Sequence, residues 1–277
     1  MIRFLLLSPI QQQQAALLYH FTSRAFLEEL VHRIDELMRF IDGSGPRPKR
    51  RSRAGPGYLA GYERGILEAL ALRAKKIYMP TGTTQCARGM HETGTFAVSE
   101  EKQARYDEMF GAIANHAGWL DGAIERWTSP MNDFEFALGW EQYAAALAPR
   151  TAYRVLMDVV CHSGEVPPRT GVYVPADDQY GSLQFGWTGD SNGALPESST
   201  FNDLGLAAVR EFGHHRLWSD GERLIVFLQA NIAHASLAQD SFLDLVSDAS
   251  CTPCLLAEHA FTTRPCKWYF VEPIGLS

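Results

Sequence analysis

A chain of 277 residues, 46% of them hydrophobic, is long enough to bury one large core or two closely packed lobes. Its longest apolar runs, such as Leu224 to Leu228, fall far short of the roughly 20 residues that a membrane-spanning helix needs, which argues against such a segment. Net charge is −7, and five cysteines are too few and too scattered for a secreted disulfide framework, so a soluble protein of the reducing cytoplasm is expected.

The start, Met1-Ile-Arg-Phe-Leu-Leu-Leu7, has the charge and apolarity of a secretory signal. It stops at Ser8-Pro9, runs into Gln11 to Gln14 and shows no small-residue cleavage pattern, so it reads as part of the fold. Ser8-Pro9 is a helix-start signal, and Leu27, Leu30, Val31, Ile34, Leu37, Met38 and Ile41 recur at steps of three and four as far as Gly43. One long amphipathic helix is expected there. A Gly- and Pro-containing loop from Asp42 to Gly57 follows, with Arg47, Lys49, Arg50, Arg51 and Arg53 crowded within it. No aromatic residue is interleaved and the rest of the chain is acidic, so the basic run reads as a solvated loop, dispensable for folding, rather than a grip on nucleic acid.

A second helix is marked by Leu59, Tyr62, Ile66, Leu70 and Ile77, ending before Pro80. A third starts at Ser99 and carries Tyr106, Met109, Phe110, Ile113, Ala117, Leu120, Ile124 and Trp127 on one face, with Pro130 barring continuation. Asn132 and Glu135 have capping-box spacing for a fourth, through Trp140, Tyr143 and Leu147 to Pro149. Residues 151–160 read as one further helix. The aromatic stripes on these helices are read as core.

After Cys161 the texture changes. Val172-Tyr-Val174 and Leu183-Gln-Phe-Gly-Trp187 are strand-like and are joined by Ala176 to Gly181, which suggests a hairpin. Ser199 or Thr200 caps a helix ending at Gly213. Leu217-Trp218 and Leu224 to Leu228 flank Ser219-Asp-Gly-Glu222, the signal of a second hairpin. Ser236 and Gln239 start a helix through Leu245, and Trp268 to Val271 is a closing strand. The fold expected is α+β: long antiparallel helices over 1–160, packed in one compact unit with a 161–277 lobe of short antiparallel strands and helices. Cys86-Ala-Arg-Gly89 and Cys161-His-Ser-Gly164, each leading to a Thr-Gly pair, form a faint internal echo.

Charge is unevenly placed. Residues 1–159 hold 19 basic and 18 acidic side chains, whereas residues 160–277 hold 6 against 14, a balance near −8. An acidic lobe repels nucleic acid and speeds encounter with basic partners. Asp177, Asp178 and Asp220 are the acidic candidates for such contacts. Tyr180 and Trp218, beside the turns, are candidate exposed aromatic anchors.

Catalytic signatures are sparse. There is no phosphate-binding glycine loop, no dinucleotide fingerprint, no His-Glu-x-x-His and no Gly-x-Ser-x-Gly. Cys251-Thr-Pro-Cys254 with His259 and Cys266 supplies the donor types of a zinc site, and the Cys-x-x-Cys could also be a redox-active dithiol, but the second half lacks regular spacing and the set reads as ordinary cysteines, so no metal or other cofactor is expected. His214-His215 and Cys161-His162 are adjacent pairs, and on a strand neighbours point to opposite faces, so neither reads as a catalytic pair.

The run Cys161-His-Ser-Gly-Glu-Val-Pro-Pro-Arg-Thr-Gly171-Val-Tyr-Val, followed by Tyr180-Gly-Ser-Leu-Gln-Phe-Gly-Trp187, resembles the immunity proteins that protect bacteria from their own polymorphic, type VI secreted toxins, those of the seventy-one and seventy-two types. Pro168, Arg169, Thr170 and Gly171 match a Pro-Arg-x-Gly turn of that group, and Gly181 through Trp187 match its Gly-to-Trp strand. Pro167-Pro168 stands where the group has Cys-Pro, and Val172-Tyr173 where it has an aromatic pair. The resemblance implies a helical region before this motif and a non-enzymatic role: binding a cognate toxin effector domain, with neither nucleic acid nor membrane as partner. The alternatives are a metal-dependent or cysteine-based enzyme of the C-terminal lobe, or an adaptor or chaperone of a secretion apparatus.

Overall fold

The computed structural model describes residues 6–43, 54–92, 99–125, 129–147, 151–234, 237 and 249–275. Helix α1 (Pro9–Phe21) begins at a reciprocal cap: the Gln11 amide donates to Ser8 Oγ at 3.1 Å and the Ser8 amide to Gln11 Oε1 at 3.0 Å. The single long helix expected from Ser8 to Gly43 is in fact two. Thr22 Oγ1 donates back to the Leu18 carbonyl at 2.6 Å, and Ser23 Oγ receives the Phe26 amide at 3.1 Å, starting α2 (Arg24–Gly43). Two successive hydroxyls competing for backbone groups end one helix and cap the next. The Arg73 guanidinium closes the corner by donating to the carbonyls of Thr22 and Ser23.

Helix α3 (Ala54–Arg73) starts inside the expected loop, so Ala54 to Gly57 are helical, while 44–53 and their basic run lie outside the described residues. It stops at Arg73, short of Ile77. Helix α4 (Thr83–Glu92) has no counterpart in the sequence reading and absorbs Cys86 to Gly89. The internal echo is therefore not structural, because Cys161 and His162 end a strand. Helix α5 (Glu100–Ile124) starts at Ser99 as expected, and α6 (Asp133–Leu147) carries the anticipated capping box, with the Asn132 amide on Glu135 Oε2 at 2.8 Å and the Glu135 amide on Asn132 Oδ1 at 3.1 Å. Trp127 lies outside the described residues.

Residues 151–160 are not a helix. They belong to strand β1 (Thr151–His162), which pairs antiparallel with β6 (Lys267–Gly275). The register slips between Leu156 and Val160, and this bulge swaps the faces of the strand. Tyr153 and Val155 face the main core and Leu156 the other side; past the bulge Val160 faces the main core while Val159 and Cys161 face away. Apolar residues thus recur at 155, 156, 159 and 160, which mimics helical spacing. The proposed division at 160/161 cuts through this strand.

The hairpin of β2 (Gly171–Pro175) and β3 (Gln184–Gly186) forms as expected. With β1 and β6 it makes an antiparallel sheet of order β1-β6-β2-β3, and β4 (Ser198–Phe201) pairs with β5 (Phe261–Arg264) separately. Ser199 and Thr200 lie in β4, so the following helix, α7 (Asp203–Phe212), is capped instead by Asn202, whose Oδ1 accepts from the Gly205 amide at 3.0 Å. The second expected hairpin is a helix: Asp220 caps α8 (Gly221–Ala230) through the Arg223 amide at 3.2 Å. Asp-Gly serves a turn or a helix start equally well, and burial of Leu224, Phe227 and Leu228 at helical steps, with Val226 exposed, decides for the helix. Helix α9 (Thr252–His259) completes the lobe, and the expected helix over 236–245 lies almost wholly outside the described residues.

The architecture is α+β, a helical first half and a lobe of antiparallel strands and helices. One apolar cluster spans the two, joining Leu17, Phe21 and Leu30 to Val172, Phe185 and Val271. A second lies under α7, α8 and α9. Among the described residues no helix is long and apolar enough to cross a membrane.

The loop between α3 and α4 is pinned to α5 by one carboxylate. Asp121 accepts the Thr81 amide at 2.7 Å and the Thr81 hydroxyl at 2.6 Å, and Thr81 leads on through Thr83 to the Tyr62 hydroxyl. Burial pushes its pKa up to about 6, partly offset by the two Thr81 bonds. Because the folded value is raised, the contribution of Asp121 to stability is full below the ordinary carboxylate range and is lost as pH rises through about 6. Asp121→Asn is expected to flatten the stability profile between pH 4 and 6, by an amount on the order of 2 kcal/mol at the roughly 1.4 kcal/mol that each pH unit represents. Urea unfolding of both proteins at pH 4, 5, 6 and 7 measures it; parallel profiles refute it.

Candidate functional site

At the seam of the two halves lies a cleft of about 610 Å³ between α6, the 3-10 turn His214–Arg216 and the start of α9. Its floor is Asp133, the first residue of α6, which the Asn132–Glu135 cap turns inward and which is only 4% exposed. Three distant donors meet its carboxylate. His214 Nε2 lies 2.9 Å from Oδ1, Trp218 Nε1 donates to Oδ2 at 2.9 Å, and Gln14 Nε2 reaches Oδ1 at 3.4 Å. Gln14 Oε1 in turn accepts the Leu183 amide at 3.1 Å, so one carboxylate and one amide link α1, α6, the β2–β3 hairpin and the 3-10 turn. A buried carboxylate with several donors is stabilising only while all stay in place.

Above this floor the walls are aromatic. Phe134 and Trp218 meet with ring centroids 5.0 Å apart, and Trp140 lines the same cleft. Leu138, 42% exposed, and Glu141 stand one turn apart on the rim of α6, with exposed His215 and Cys254 also at the cleft. Among the described lining residues the acidic side chains are Asp133 and Glu141, and none is Lys or Arg.

The expected anchors need correction. Tyr180 and Trp218 are half-buried at the margin of the second core cluster rather than standing out from it: Tyr180 packs edge-on to Phe201 and His214, and Trp218 lies near Phe201 and Phe261. Asp178 pairs with Arg264 at 2.6 Å and accepts the Tyr180 amide at 2.9 Å, Asp220 caps α8, and Asp177 is exposed. Of these five residues only Trp218 lines the cleft. His214 and His215 lie in a 3-10 turn, not a strand; His214 reaches Asp133, and His215 lines the same cleft but is exposed.

The cysteine set does not assemble. Cys251 and Cys254 lie at the start of α9 and His259 at its end, whereas Cys266 sits before β6, its amide donating to Ser163 Oγ at 3.0 Å. Among the described residues no group of three His, Cys, Asp or Glu side chains is placed to hold a metal ion. Burial pushes the thiols of Cys86 and Cys266 up to about 11 and raises that of Cys161, which disfavours the reactive thiolate at all three.

The motif residues build a corner. Gly171 has φ +153°, and a Cβ there would stand 2.6 Å from the Phe270 ring and 3.0 Å from the Tyr19 hydroxyl. Arg169 faces the Phe270 ring at 5.8 Å and Glu272 at 3.8 Å, and its carbonyl receives the Tyr173 hydroxyl at 2.7 Å. Pro168 is exposed just before it, and Thr170 Oγ1 accepts the Thr188 amide at 3.1 Å, tying the turn to the segment after β3. Gly181 packs where a Cβ would fall 2.5 Å from Pro175. Trp187 is 1% exposed and donates to Asp190 at 3.0 Å. Gly171, Gly181 and Trp187 are fixed by packing, whereas Pro168 and Arg169 remain exposed.

Comparison with protein-family models, with curated proteins and with solved structures finds no match in any of the three.

Proposed function

We propose that this chain is an immunity protein, one that binds and neutralises a cognate toxin effector of a polymorphic or type VI secretion system in the cytoplasm of the producing bacterium. The observation that carries the reading is the segment 161–187. The residues that resemble those proteins form one built unit, the Pro168–Gly171 corner and the β2–β3 hairpin, seated against α1 by Tyr19, whose hydroxyl donates to the Val271 carbonyl at 2.5 Å and accepts the Val172 amide at 3.4 Å. The acidic balance of residues 160–277 supports a basic partner.

The test is to express the product of the adjacent gene in a bacterial host with and without this chain. Growth should stop without it and resume with it. With the two purified proteins, the association rate should fall as salt rises from 50 to 500 mM, and affinity should fall less, because screening acts on encounter first. A toxic neighbour that this chain neither binds nor relieves would overturn the assignment.

A cysteine-based enzyme is the second reading, favoured by the Asp133–His214 pair in a cleft that Cys254 also lines. It requires Cys254→Ala to abolish protection, whereas binding alone leaves protection intact.

A further inference from the structure

We propose that the cleft between α6 and the 3-10 turn takes an arginine side chain presented by the polypeptide partner. This rests on the binding reading above and states where, and by what chemistry, the partner is held.

The space of about 610 Å³ is within the range of clefts that hold a ligand or side chain, and it opens between the two halves of the chain. Its walls select among occupants. Phe134, Trp140 and Trp218 offer aromatic surface, and Leu138 extends the apolar rim. An apolar side chain would use those walls but would bring no charge to Glu141 at the mouth. An anionic group would face both carboxylates and meet no Lys or Arg among the described lining residues; of the two histidines there, His214 is already turned to Asp133, which leaves the exposed His215.

A cation satisfies both features, and of the two side-chain cations arginine fits better. Its guanidinium is flat, weakly hydrated and stacks on aromatic faces, whereas an ammonium keeps its water. The methylene stem can lie along Leu138 and Phe134 while the head pairs with Glu141, which is exposed at the rim. Asp133 acts differently. Its oxygens are already engaged by His214, Trp218 and Gln14, so it holds Trp218 in position without being the ligand's direct partner. The acidic excess of residues 160–277 draws the same kind of partner toward this face of the molecule.

The experiment uses the full chain labelled with 15N-tryptophan and two probes, N-acetyl-arginine amide and its uncharged isostere N-acetyl-citrulline amide. Titration with the arginine probe should shift the indole N–H resonances of Trp218 and Trp140 saturably, while those of Trp187 and Trp268, 1% and 0% exposed, stay in place as internal controls. The citrulline probe should leave all four unmoved. Glu141→Gln, a substitution at an exposed position, should weaken the arginine probe about two- to fivefold, the span that an exposed ion pair of up to about 1 kcal/mol allows. Equal shifts with citrulline, an unchanged affinity in Glu141→Gln, or shifts no larger at Trp218 and Trp140 than at the controls would each overturn the cleft proposal. The growth test separates the two claims: relief of toxicity with a flat titration removes the cleft alone, and a saturable titration without relief removes the toxin reading alone.

Discussion

Asp133→Ala is expected to lower the melting temperature by roughly 5–10 °C, one of the two largest effects foreseen for a single substitution in this chain. The carboxylate is 4% exposed and receives His214, Trp218 and Gln14, so removing it leaves three donors in a place water reaches poorly. Each buried donor left without a partner costs about 1–3 kcal/mol, less whatever the cleft recovers by admitting water. A total near 3 kcal/mol follows, and a protein of this size loses about 2–4 °C per kcal/mol. Asp133→Asn keeps one acceptor oxygen and should fall between the two. Calorimetry gives the melting temperatures, and the fluorescence of Trp218 should change in the same order, since its indole N–H loses its partner. A fall of under 2 °C in Asp133→Ala would mean that the three donors find other partners easily.

Gly171→Val should be as damaging by a different route. At φ +153° a β-branched residue is strained, at a cost of about 1–3 kcal/mol. Its Cβ would also stand 2.6 Å from the Phe270 ring, which cannot retreat freely because it packs edge-on to Tyr173 at 5.3 Å and under Arg169. Moving the ring would disturb the sheet beside the β2–β6 pairing Tyr173↔Phe270. The two terms together reach on the order of 3–5 kcal/mol, enough to leave little folded protein at 37 °C. Gly171→Ala should be milder, and Phe270→Leu in the Gly171→Ala background should recover part of the loss by making room while the backbone strain persists. Urea midpoints of the three variants decide this. Full recovery in the double variant would show that crowding, not φ, sets the requirement for glycine.

Most of the fold was legible where the deciding interaction is local. Ser8 with Gln11, Ser99 at α5 and Asn132 with Glu135 each place a side-chain oxygen against an amide three residues on, and that geometry depends on spacing alone. The β2–β3 hairpin and the closing strand β6 were legible for the same reason, through short apolar runs bounded by turn residues. The uneven charge of the chain also needs no coordinates.

What only the tertiary structure decided involves partners far apart in the chain. Residues 151–160 carry apolar spacing that suits a helix, and pairing with β6, with a bulge that exchanges the faces of the strand, makes it β1. Asp220-Gly221 suits a hairpin turn or a helix start, and burial of Leu224, Phe227 and Leu228 against α7 and α9 selects the helix. The cleft was illegible because its floor joins Asp133 to Gln14, His214 and Trp218, which lie 119, 81 and 85 residues away. Periodicity reports which side of an element is buried, not what it meets there, so a carboxylate that gains its role from three distant donors reads in the sequence as one more acidic residue in the first turn of a helix.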